Sequence, residues 1–138
     1  LIAPFNIACG IMSADPLRLL PLSEPERWVV TAFGDSAEIL VLTQNARSAC
    51  EAASSYAVEG EPWAIVRAPD PDREDALVGM QSRSGDAVVA RYDARGGRFL
   101  PKKVPLGARG PISEMVVLGD AVFGLLPTEG SIFRVTPN

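Results

Sequence analysis

The chain repeats itself, and the repeat constrains it more than any motif does. From Asp75 to Gly85 it reads Asp-Ala-Leu-Val-Gly-Met-Gln-Ser-Arg-Ser-Gly, and from Asp120 to Gly130 it reads Asp-Ala-Val-Phe-Gly-Leu-Leu-Pro-Thr-Glu-Gly. The Asp, the Ala and both Gly residues align without a gap, and the positions between the Ala and the first Gly are apolar in both copies. At this spacing, about 45 residues, each copy is one supersecondary unit that buries its apolar face only by stacking on a neighbour. A shorter spacing links the front of the chain to its middle. Glu24-Pro25 matches Glu61-Pro62, Val29 matches Val66, Leu40-Val41 matches Leu77-Val78, and Gln44 matches Gln81. The third unit opens in the same manner, Gly110-Pro111 answering Gly60-Glu61-Pro62, and the second unit differs by the added loop from Ala68 to Glu74.

Short apolar runs separated by Gly, Pro and Asp every ten residues or so are the mark of an all-β chain. Strands are expected at Trp28–Phe33, Glu38–Leu42, Trp63–Arg67, Ala76–Gln81, Ala87–Tyr92, Glu114–Leu118, Ala121–Leu125 and Ser131–Val135. A weaker strand around Lys103–Leu106 is interrupted by Pro101 and Pro105, which suits an outer edge because proline removes a ladder donor. Asn45–Tyr56 fits two patterns. Ala46, Ala49, Cys50 and Ala53 lie at helical spacing, but the position in the repeat favours a strand with an irregular entry.

The run Gly60-Glu61-Pro62-Trp63-Ala64-Ile65-Val66, then Ala76-Leu77-Val78-Gly79, then Gly85 to Asp93, resembles one propeller blade. Gly110-Pro111 through Val116-Val117-Leu118, Ala121 to Leu125 and Gly130 to Val135 resemble the next. The pattern is similar to the bacterial propellers with YVTN-type repeats and to the streptogramin-lyase-like propellers. The resemblance implies an antiparallel β-propeller, incomplete, with about three blades at 24–60, 61–109 and 110–138 behind an extended segment 1–23. A ring of at least four blades then needs further blades from outside these residues or from another chain. The resemblance also implies a bacterial periplasmic, cell-surface or secreted setting. Streptogramin lyases are expected to use His and Mg²⁺, and there is no His among the 138 residues.

Without histidine there is no imidazole base and no Ser-His or Cys-His nucleophile pair. Net charge is −4 and the basic residues are scattered, so no nucleic-acid footprint is expected. No apolar stretch approaches the roughly 18 residues of a membrane span. Ile7-Ala8-Cys9-Gly10 is similar to a bacterial lipoprotein cleavage box, with Asn6 where Leu is favoured and without a basic leader. Cys9 and Cys50 are the only cysteines. They are either a disulfide, the better choice outside the cytoplasm, or two buried thiols.

Asp70, Asp72, Glu74 and Asp75 form the densest acidic cluster. They are weighed as Ca²⁺ ligands against a proline-stiffened solvated turn, which is favoured, and no cofactor is expected. Trp28 and Trp63 sit near the start of corresponding strands and are the candidate ligand-binding rim, against packing between blades, which is favoured. Lys102, Lys103, Arg95, Arg98 and Arg109 read as an anion patch or, preferably, as a solvated edge that discourages pairing with other proteins. Arg91 and Arg134, on successive third strands, are expected to pair with Asp93 or Glu114. Nothing has the spacing of a phosphate loop, zinc site or nucleophile elbow.

The function expected is therefore a non-catalytic binding or assembly module that meets a protein partner, either the remaining blades or another chain. One alternative is a fragment of a lyase-like or quinoprotein-like propeller enzyme whose catalytic residues lie elsewhere. Another is a glycan-binding module using the tryptophans.

Overall fold

The computed structural model describes residues 18–21, 27–32, 38–44, 50–57, 61–70, 72, 75–93, 95–96 and 98–136. These form eleven strands in three antiparallel sheets. The first holds β1 (Arg18–Pro21), β2 (Arg27–Ala32), β3 (Glu38–Gln44) and β4 (Cys50–Ala57), side by side in chain order. The second holds β5 (Glu61–Arg67), β6 (Asp75–Gln81), β7 (Asp86–Asp93) and β8 (Arg98–Arg109), again in chain order. The third holds β9 (Glu114–Leu118), β10 (Ala121–Leu126) and β11 (Ser131–Val135). Between successive sheets, β1 approaches β5 and β5 approaches β9.

Cys50–Ala57 is a strand, and its register against β3 shifts between Val41 and Leu42, so repeat position prevails there over helical spacing. β1 falls within the stretch 1–23 and pairs with β2 along its whole length. The shorter repeat sets β2, β3 and β4 against β5, β6 and β7. The two sheets therefore gain their fourth strands at opposite edges, β1 beside β2 and β8 beside β7.

β8 is the outer edge of its sheet, as its prolines require. Its register against β7 shifts between Ala90 and Tyr92, so Pro101 lies in the bulged stretch between Lys103 and Phe99. A missing donor costs no ladder bond there. Lys102 and Lys103 are exposed on this edge.

The repeated segments share a backbone course. β6 ends in the turn Ser82–Gly85, where the Gly85 amide donates to the Ser82 carbonyl at 2.9 Å. β10 ends in the turn Pro127–Gly130, where the Gly130 amide donates to the Pro127 carbonyl at 3.3 Å. Each turn closes on glycine at positive φ, 92° at Gly85 and 62° at Gly130, a conformation that strains any residue with a Cβ.

Beyond the turns the registers differ by one residue. Gln81 pairs with Ala87, whereas Leu126 pairs with Ser131, one residue sooner. A one-residue slip moves every later side chain to the other face. Arg91 consequently stands opposite Leu77, while Arg134 stands opposite Phe123. The two arginines are not counterparts, and Val135, opposite Val122, occupies the place of Arg91.

The second sheet is buried on both faces, and Asp75 to Met80 are all buried. One face gives Ala76, Val78, Met80, Ala90 and Tyr92, against which Leu20 of β1 packs. The other gives Ala64, Leu77, Ala87 and Val89, which join Ile112, Val122, Leu126 and Phe133 of the third sheet and its entry in a second apolar layer. Each fully buried Leu or Val there contributes roughly 1.5–3 kcal/mol. Two glycines make this layer possible. Ile112 lies on Gly79, where a Cβ would stand 3.1 Å from its side chain, and the Phe133 ring fills the space a Cβ of Gly124 would need.

Candidate interaction surface

The third sheet is covered on one face only. Met115, Val117, Val122, Leu126, Phe133 and Val135 turn into the layer shared with the second sheet. The other face follows from the register. Glu114 stands opposite Leu125, which stands opposite Ile132; Val116 stands opposite Phe123, which stands opposite Arg134; Leu118 stands opposite Ala121. On this face Val116, Leu118, Leu125 and Ile132 are 51, 61, 40 and 70% exposed. They are the large apolar side chains recorded as exposed among the described residues, and all of them lie on this one face. Single exposed apolar residues are ordinary; here four lie together on one sheet face. Glu114 and Arg134, both exposed, stand on the two opposite edge strands.

The sequence matches Ala121, Phe123 and Leu125 to Ala76, Val78 and Met80. In the second sheet those positions are fully covered, Met80 being 1% exposed. The apolar pattern is thus that of a covered face, and the strand alternation places it outward.

The residues singled out from sequence fall elsewhere. Trp63 occupies the register shift between Pro62 and Ala64, half-buried with its indole nitrogen buried. Trp28 is in β2 opposite Leu42 and Pro21, and its side chain lies outside the described residues. Cys50 is in β4, opposite Gln44, and Cys9 lies outside the described residues.

Of the acidic cluster, Asp70 accepts the Asp72 backbone amide at 3.0 Å, a turn-forming contact in the loop. Asp75 is instead buried in β6, its carboxylate 3.1 Å from the Arg91 guanidinium. The contact is an ion pair rather than an aligned hydrogen bond. Glu74 lies outside the described residues. Among the described residues no three His, Cys, Asp or Glu side chains are grouped so as to hold a metal. The expected pairing of Arg91 with Asp93 or Glu114 is corrected accordingly: its partner is Asp75. Asp93 instead caps the β7–β8 turn, accepting the amides of Arg95 and Gly96 at 3.1 and 3.0 Å.

Arg109, read from sequence as part of a basic edge, works as a clasp. Its guanidinium donates to the Ser84 carbonyl at 2.6 Å and its amide donates to the Glu129 carboxylate at 3.2 Å. The next amide, of Gly110, donates to the Gly85 carbonyl at 2.9 Å. The end of β8 thus ties together the two turns that the repeat makes equivalent. A shallow cleft between β5 and β9 is lined by Ala64, Ile65, Ser113, Glu114 and Met115.

No protein-family model matches the chain, and no curated protein or solved structure matches it.

Proposed function

We propose that the chain is a non-catalytic binding and assembly module, built as consecutive propeller blades, that meets a protein partner through the outer face of its third sheet. One observation supports this most: Val116, Leu118, Leu125 and Ile132 stand exposed together on a face whose sequence counterpart in the second sheet is covered. Water contact along such a face is unfavourable by roughly 25 cal/mol per Å² of apolar surface. The blade reading is supported by the antiparallel meanders and by the succession of β1, β5 and β9 at the approaches between sheets.

The test is hydrodynamic. Sedimentation velocity of the chain at micromolar concentration should give an oligomer, or a species shifted to larger size by added partner. A monodisperse monomer that also fails to bind an apolar-surface dye would end this reading.

A further inference from the structure

Within the chain, sheets meet through like faces. Leu77 and its sequence counterpart Val122 share one apolar layer, and Gly79 and Gly124 both border it. The opposite face of the third sheet offers a second surface of the same kind, and its charges are arranged to match a copy of itself. Glu114 stands on β9 at one edge, and Arg134 stands on β11 at the other. Two strand spacings, about 10 Å, separate those edges, and the two side chains are not paired with each other across their own sheet.

Resting on the assembly reading above, we infer that the occupant of this face is a second copy of the chain, docked face to face about a two-fold axis that runs along the strands. Such an axis lays β10 on β10 of the second copy, so Phe123 meets Phe123 and Leu125 meets Leu125 at the centre. It also lays β9 over β11 of the second copy. Val116 then packs on the stem of Arg134, and Glu114 reaches the guanidinium from the adjoining row. Symmetry repeats the contact on the far side, as in any isologous interface. Leu118 extends the apolar patch along β9, and Ile132 lies beneath Glu114 of the second copy. Net charge is −4 per chain, so bringing two copies together is opposed at long range, and the paired edges offset this locally.

The test is a charge-reversal cycle followed by sedimentation equilibrium, with circular dichroism to verify folding. Both reversed residues are exposed, so the fold should persist. The unaltered chain should be a dimer. Glu114→Arg and Arg134→Glu should each raise the dimer dissociation constant at least about tenfold. The double variant should return it to within about threefold of the unaltered chain. Leu118→Gln should also weaken the dimer while leaving the dichroism unchanged.

A monomer, or an assembly larger than a dimer, would overturn the inference. So would a dimer indifferent to both reversals, or single losses that the double reversal does not restore. A dimer or larger assembly that ignores these substitutions would leave the assembly reading standing. A monomer with no dye-binding surface would remove both.

Discussion

The second and third sheets are written in nearly the same residues and live in different surroundings. Asp-Ala-Leu-Val-Gly-Met in β6 is enclosed on both sides, whereas Asp-Ala-Val-Phe-Gly-Leu, leading into and along β10, is enclosed on one. Met80 is 1% exposed and its counterpart Leu125 is 40% exposed. A strand's sequence therefore announces how much apolar surface it can bury, and its neighbours decide how much it does. The two disagree on the outer face of β9–β11.

Five single substitutions and one double replacement, in three comparisons, press on this contrast. The largest effect belongs to the covered sheet. Arg91→Leu removes the guanidinium that lies 3.1 Å from the buried Asp75 carboxylate, and urea unfolding should show a loss of about 3–5 kcal/mol. Replacing both Asp75 and Arg91 by apolar residues should recover most of it, because desolvation of the pair nearly cancels its attraction. A double-mutant cycle that is additive would show that the pair is not coupled.

Next comes the matched truncation of counterparts. Met80→Ala should cost about 2–5 kcal/mol through lost transfer and the cavity left behind. Leu125→Ala, measured in protein dilute enough to be monomeric, should cost about 1 kcal/mol or less. Equal losses would mean that the outer face of the third sheet is covered within the single chain.

The smallest effect is steric. Gly124→Ala drives a methyl into the Phe133 ring and should cost about 1–3 kcal/mol. Gly79→Ala should cost less, since Ile112 can retreat a few tenths of an ångström. A reversed order in thermal unfolding would show that the third sheet yields more easily than the second.

Much of the fold is legible from residues alone. Strand positions follow from β-branched runs bounded by turn residues, and both Gly85 and Gly130 close their turns in the backbone state only glycine adopts freely. Pro101 and Pro105 by themselves place β8 at an edge. The site is legible only in part. The tryptophans and the acidic loop attract notice as chemically rich side chains, while the surface that stands out is made of Val, Leu and Ile, residues that every strand here contains. Arg109 hides in a basic stretch because its partners, Ser84 and Glu129, are distant in sequence. Asp75 belongs by sequence to a loop cluster and by structure to the interior, since the strand begins at that residue.

By itself the sequence determined that this chain makes antiparallel units of a common plan, with turns at fixed glycines and edges marked by proline. It could not determine which face of each unit looks inward. Side chains alternate with a period of two, so a pairing one residue tighter between β10 and β11 than between β6 and β7 suffices to send Arg91 and Arg134 to opposite faces. That choice depends on which neighbouring sheet offers a layer to fill, and Ile112, Val122 and Phe133 make it only once the sheets are packed together.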